Sequence, residues 1–317
     1  MALSFVPIRP VVALTTGAQY NWTDINVRPF GVPDDATGVI LHVRNAGLVR
    51  NYGLRRNGNT DARNGSSTAS TMHTWAVVGI DGNGIFEFYN VGGSPRINLD
   101  LIGYTMAGVD FTPSYVNCPE LLPVAGGWDT VDLSLFGVPA TAIGVIIEVY
   151  TTFAQLFGYI QNGSADARLF NISINHPTFG FVIGCDANQI IELFRATNNV
   201  RFFLHGFIID GATFYLNAID VSPPGVAAWW DLPQLPPHGI MPFIEVSGPG
   251  GNFGAREDAV VGISTNSPMA NHNFAIPSAF NGNYQGNMGD VATTFHLVGY
   301  SRYSPPIVQT DPATEIT

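Results

Sequence analysis

The chain has 317 residues, a length suited to two or three domains. Charged residues make up 12% of it, about half of the ~25% usual in soluble domains, and Gly (35) and Pro (22) help to fill the gap. Net charge is −11 and all 13 basic residues are Arg, none Lys, so there is no electrostatic footprint for nucleic acid and no basic run that would seek an anionic membrane.

No window reaches the ~20 apolar residues of a membrane span. The opening residues lack a charged region followed by an apolar one, so no signal peptide is expected. The missing Lys reads either as codon bias or as a surface packed against neighbours, since interfaces deplete Lys and tolerate Arg.

The predicted elements are short. Val11–Leu14, Val39–Val43, Trp75–Ile80, Ile85–Tyr89 and Ile97–Ile102 are apolar runs rich in Val, Ile, Phe and Tyr, which predicts strands. Turn formers separate them at Gly31-Val-Pro33, Asn57-Gly58, Asp81-Gly-Asn-Gly84 and Gly92-Gly93. Asn57-Gly58 predicts the tip of a type I′ hairpin. No sustained helical period with caps is present.

The chain then repeats itself. Residues 31–43 read GVPDDATGVILHV and residues 137–149 read GVPATAIGVIIEV. Around them Phe5 matches Phe111, Trp22 matches Trp128, and Asn57-Gly-Asn-Thr-Asp-Ala-Arg63 matches Asn162-Gly-Ser-Ala-Asp-Ala-Arg168. Glu87 matches Glu192, and Gly103-Tyr104 matches Gly206-Phe207. A weaker third copy starts at Phe214, passes Trp229-Trp230 and Gly239–Val246, and closes at Gly299-Tyr300. The reading is all-β: three tandem β-sandwich, jelly-roll-like domains over residues 1–106, 107–209 and a divergent 210–303, with a Pro-rich tail over 304–317. Linkers as short as Thr105–Asp110 predict domains packed against each other.

A residue repeated in tandem copies belongs to the fold more often than to a single active cleft. Asp61/Arg63 and Asp166/Arg168 are therefore read as turn-bracing pairs, and Glu87 and Glu192 as structural or edge residues. His42, His73, His176, His205, His238, His272 and His296 show no metal-ligand spacing. Asp81-Gly-Asn-Gly84 starts like a calcium loop but does not continue as one. Cys118 and Cys185 read as small buried hydrophobes, and the sequons at Asn21, Asn64, Asn162 and Asn171 as chance. One of Trp229 and Trp230 is expected in a core and the other at a junction or interface. No catalytic, cofactor or metal-binding residue is assigned.

The succession W-x-D, GVP-x-x-A-x-GVI, an Asn-Gly followed by Asp-x-Arg, and a closing Gly-Tyr or Gly-Phe resembles tandem repeat modules of phage virion proteins. The resemblance implies a non-enzymatic capsid decoration, head-fibre or tail-associated protein, assembled in the host cytoplasm and located in the virion. Its implied partners are further copies of itself, as a homo-oligomer such as a trimer, and virion proteins such as a major capsid protein, with neither nucleic acid nor membrane. The alternative is a carbohydrate-binding or adhesin-type array, which requires exposed rows of aromatic side chains.

Overall fold

The computed structural model describes residues 4–15, 20–45, 50–66, 73–91, 97–113, 117–151, 153–172, 178–248, 253–257, 271–277, 279 and 282–302. The expected turn at Gly92-Gly93 and the tail over 304–317 lie outside these residues. The first segment carries β1 (Phe5–Leu14), β2 (Trp22–Asn26), β3 (Gly38–Asn45), β4 (Asn51–Arg56), β5 (Gly65–Ser66), β6 (His73–Gly79), β7 (Ile85–Asn90) and β8 (Ile97–Thr105). The second carries β9 (Val109–Phe111), β10 (Glu120–Leu121), β11 (Gly127–Asp132), β12 (Gly144–Thr151), β13 (Gln155–Gln161), β14 (Phe170–Ile172), β15 (Thr178–Gly184), β16 (Ile190–Arg195) and β17 (Val200–Ile208). The third carries β18 (Ala212–Asp220), β19 (Trp230–Asp231), β20 (Gly239–Gly248), β21 (Phe253–Glu257), β22 (Asn271–Ala275), β23 (Tyr284–Met288) and β24 (Thr294–Arg302). Among the described residues no helix is long and apolar enough to cross a membrane.

The architecture is all-β, with several antiparallel sheets. In the first segment the sheets run β1-β8-β3-β6 and β2-β7-β4-β5. The second repeats this as β10-β17-β12-β15, with β9 also on β17, and β11-β16-β13-β14. The third has β18-β24-β20-β22 and β19-β23-β21. Among the described residues every strand ladder lies within one segment.

The two kinds of sheet differ in burial, and the sequence explains why. On β7, Phe86 and Phe88 are buried while Glu87 and Tyr89 point outward, so this sheet has one solvated face. β3 is buried almost continuously. Val39, Leu41 and Val43 join the first segment's interior with Phe86 and Phe88, whereas Ile40 belongs to the cluster formed mainly by the other two segments. The β3-type sheet is thus covered on both faces, which calls for an unbroken apolar run rather than alternation.

A bulge recurs at one place. It falls between Ile40 and Leu41, between Ile146 and Ile147, and between Phe243 and Ile244, opposite Ile102, His205 and Val298 respectively. This common register makes His42, Glu148 and Glu245 positional equivalents. It also corrects one match. Phe111 and Phe214 pair with Gly206 and Gly299, but Phe5 pairs with Thr105, and it is Pro7 that faces Gly103.

Each segment touches both of the others. Phe111 lies across Gly38 and Gly79, and Phe214 lies across Gly144 and Gly184. A Cβ at Gly38 would stand 2.5 Å from the Phe111 ring, so only glycine admits that aromatic. The arrangement closes with Phe5 on Phe243, ring centroids 5.3 Å apart, and Trp75 near Phe253 at 6.4 Å.

The type I′ expectation is overturned. Gly58 and Gly163 have φ of 81° and 80°, but Asn57 and Asn162 are not in the left-handed region, as a type I′ turn requires. The Asn57 side chain instead donates to Asp81 at 2.8 Å, and Asn162 to Asp186 at 2.7 Å. The chain after each turn leaves its own sheet as an arm that reaches the next segment.

Candidate functional site: buried junctions between segments

The arm after Gly58 ends in Asp61 and Arg63. Arg63 does not brace its own turn. Its Nη2 lies 3.0 Å from Glu148 Oε2 in the second segment, and its Nη1 lies 2.8 Å from Asp61. Asp61 Oδ2 accepts the Cys118 backbone N–H at 2.9 Å, and Thr60 donates to Asn117 at 2.7 Å. The Arg63 guanidinium also sits 3.6 Å from the centre of the Phe203 ring.

The same device recurs one segment later. Arg168 Nη2 lies 2.7 Å from Glu245 Oε2, and Nη1 2.6 Å from Asp166. Asp166 accepts from the Ala218 N–H at 2.5 Å, and Ser164 bonds Asn217 at 3.0 Å. Both glutamate side chains are 1% exposed. A buried carboxylate needs such partners, because desolvation otherwise disfavours its charged form.

The two junctions differ in charge balance. In the first, the bulge residue His205 points Nε2 at Glu148 Oε2, 2.8 Å away. Burial works to raise the Glu148 carboxyl, but Arg63 and His205 outweigh it and hold it below the usual range. Burial likewise works to lower His205, but the neighbouring Cys118 and Glu148 raise it to about 10. In the second, Val298 replaces His205, and burial leaves Glu245 above the usual range with Arg168 offsetting only part of the shift.

At the equivalent place in the first segment stands His42, fully buried. Its Nε2 is 3.0 Å from His73 Nδ1, its ring centre lies 4.6 Å from that of Trp75, and its Nδ1 is 3.5 Å from Asp100. Burial lowers the pKa of both histidines. Among the described residues the contact between the first and third segments is mostly aromatic, with one ion pair joining Arg9 and Glu257.

Among the remaining candidates Cys118 and His296 stand at the junctions, against Asp61 and opposite Glu245, while Glu87, Glu192 and Asp81 make contacts within their own segments. Glu87 holds Arg55 through two hydrogen bonds of 2.7 and 2.9 Å, and Glu192 accepts the Gly163 N–H at 2.9 Å. Asp81 spends its oxygens on the N–H groups of Asn83 and Ile85 and on Asn57, which makes it a turn brace. Cys185 is buried, its thiol pushed up to about 11 by burial, whereas Cys118 is only partly covered, and both are free. Asn21 and Asn64 sit among the described residues, and the sequon at Asn162 falls on the Asp186-bound turn. His296 is half-buried, while His176 lies outside the described residues and nothing is described of the His272 side chain.

Trp75 is a core residue, whereas Trp22, Trp128 and Trp229 are half-buried and Trp230 is exposed. Arg55 covers Trp22 and Arg256 covers Trp229, each 4.0 Å from the ring centre. Trp229 is therefore the counterpart of Trp22, and Trp230 is the extra, exposed one. Among the described residues no group of three or more His, Cys, Asp or Glu side chains is gathered to hold a metal.

Glu148 and Glu245 are the buried residues that the sequence reading passed over. Each interrupts an apolar run at the same repeat position, in GVIIEV and MPFIEV. That interruption was the available signal.

No family model matches the chain, and no curated protein is similar to it. A chain in the atomic structure of Sulfolobus Turreted Icosahedral Virus aligns over 94% of this chain and 91% of its own, with 12% identity and a TM-score of 0.22. A likeness at that level transfers neither fold nor function.

Proposed function

We propose that the chain is a non-enzymatic virion structural protein made of three tandem jelly-roll modules, bounded near residues 106 and 209. The observation that carries this reading is the strand order. A first-eighth-third-sixth sheet with a second-seventh-fourth-fifth sheet is the jelly-roll order; the first two segments follow it, and the third follows it without a fifth strand among the described residues. Jelly rolls serve viral capsids and lectins alike, so fold alone does not choose between them.

The chemistry of the junctions favours the structural role. Asp61, Arg63, Asp166, Arg168, Glu148 and Glu245 are all engaged in tying one segment to the next. The sugar-binding alternative needs free aromatic faces, and guanidinium groups cover those of Trp22 and Trp229. On this reading the protein decorates a capsid or belongs to a head fibre or tail, as a symmetric homo-oligomer on a shell of other virion proteins.

Mass spectrometry of purified particles from a producing culture tests the proposal. The chain is expected at a stoichiometry set by particle symmetry. Absence from the particles, together with micromolar binding on a glycan array, would replace this reading with the sugar-binding one.

A further inference from the structure

The outer sheets of the three segments can be compared position by position. In the first, Arg55 pairs with Glu87, and Trp22 stands one step along the sheet, paired with Tyr89 and packed over Gly53. The Arg55 guanidinium sits 4.0 Å from the centre of the Trp22 ring, donates to both Glu87 oxygens at 2.7 and 2.9 Å, and donates to the Asp61 carbonyl at 2.7 Å. The third segment repeats this seat. Arg256 pairs with Gln285, donates to its side chain at 2.9 Å and sits 4.0 Å from the centre of Trp229. A guanidinium so placed gains from the negative face of the indole and from its hydrogen bonds to the neighbouring strand.

The second segment keeps the seat and loses its occupant. Trp128 pairs with Phe194 and packs over Gly158, and Glu192 stands where Glu87 stands. The arginine position is taken by Ile160, which carries no charge and cannot bond a carboxylate. Among the described residues no guanidinium lies over Trp128. Glu192 turns one oxygen to the Gly163 N–H at 2.9 Å, which leaves the other to solvent. The surrounding surface has turned apolar as well. Asn51, Asn64 and Tyr89 of the first segment have Leu156, Leu169 and Phe194 as counterparts. Leu156 and Leu169 are each 41% exposed.

We infer that Trp128 and Glu192 form a docking seat for an arginine side chain of a different protein, whose apolar residues beside that arginine meet Leu156, Leu169 and Phe194. Charge complementarity sets the chemistry of the occupant. A carboxylate next to an indole face, on a chain of net charge −11, selects a cation, and a planar guanidinium is the group that fills the same seat twice within this chain. A second copy fits poorly. Every described arginine already has a partner inside its own chain, and two chains of like net charge repel. The seat is built from residues of the second segment and does not depend on the virion reading.

The probe is the peptide acetyl-Leu-Arg-Leu-amide, with acetyl-Leu-Gln-Leu-amide as its control. The readout is the indole N–H resonance of Trp128 in the full chain, assigned by its loss in W128F. The arginine peptide should shift this resonance with a Kd in the millimolar range, about tenfold tighter than the glutamine peptide. I160R fills the seat from within and should abolish the shift. The Arg55 side chain is only 14% exposed at the equivalent position, so the fold accommodates an arginine there. E192Q keeps the indole and should weaken the arginine peptide severalfold. Equal responses to the two peptides, no response to either, unchanged affinity in E192Q or a shift that persists in I160R would each overturn the inference. Sedimentation that finds the unaltered chain as a dimer and I160R as a monomer would overturn it too, by giving the seat to a second copy.

Discussion

Arg63 and Glu148 belong to different segments, yet Arg63 Nη2 lies 3.0 Å from the Glu148 carboxylate, and Glu148 is 1% exposed. The contact ties the Asn-Gly turn of one segment to the innermost strand of the next. Arg168 and Glu245 do the same one segment on. A motif read as local bracing is therefore a connector, which explains why Asp and Arg recur at fixed spacing after each turn.

The connectors differ in strength in a way that can be measured. Glu148→Gln strips the carboxylate from two cationic partners and should cost about 3–5 kcal/mol, the usual effect of breaking a buried ion pair. Glu245→Gln should cost clearly less. Glu245 already sits above the usual carboxylate range, and Arg168 keeps Asp166. Urea denaturation of both variants gives the comparison. Equal losses would show that the His205 contact adds nothing.

Much of the fold was legible. The runs Val39–Val43 and Ile85–Tyr89 fall on β3 and β7, and the Asn-Gly turns sit where the repeat placed them. The strands β2, β4 and β5 contain Asp, Thr, Arg and Gly among few apolar residues; they hold their place by pairing, which leaves no compositional trace. The junction partners were hidden for another reason. Arg63 and Glu148 meet only because two segments pack, and no local pattern encodes which carboxylate a distant arginine will find. The low charge also has a cause inside the chain. The inner strands β3, β12 and β20 bury both faces within one molecule, so charge depletion alone is not an argument for oligomers.

The aromatic contacts across glycine give a second prediction. A Cβ on Gly79 would stand 2.8 Å from the Phe111 side chain, and one on Gly184 would stand 2.6 Å from Phe214. Gly79→Ala and Gly184→Ala should each destabilise the protein by about 1–3 kcal/mol through overpacking. Gly82→Ala is the control, because nothing lies within 4 Å of its added methyl. Thermal melts that rank Gly82→Ala with the other two would refute the close approach.

The first junction should weaken in alkali. His205 is raised from 6.5 to about 10 in the folded chain. A raised base binds its proton more tightly when folded, so its contribution is complete below about pH 6.5 and is lost as the pH climbs toward 10. Denaturation midpoints of the unaltered chain should fall more steeply from pH 7 to 10 than those of His205→Gln. Parallel curves would mean that His205 carries no charge linked to folding.

The last prediction separates interlocked segments from beads on a string. Residues of the second and third segments share one continuous apolar cluster, and Phe5, Ile40, Trp75 and Val77 of the first enter it. The third segment covers much of what the others would expose. Phe274 meets Phe181, Phe253 approaches Trp75, and Phe243 packs against Phe5. A chain ending at residue 209 would uncover these side chains together, on inner sheets that lack the charged outer faces of β7 and β16. Contiguous exposed apolar surface of this kind drives association. It would also take Glu245 from Arg168, leaving that guanidinium with Asp166 at the bared face. The truncated chain is therefore expected in aggregates or large soluble assemblies, while the full chain sediments as one discrete species. A 1–209 fragment that sediments as a monomer at micromolar concentration and unfolds cooperatively would show that the inner sheets need no partner segment. The junctions would then be contacts between independent domains rather than part of a shared core.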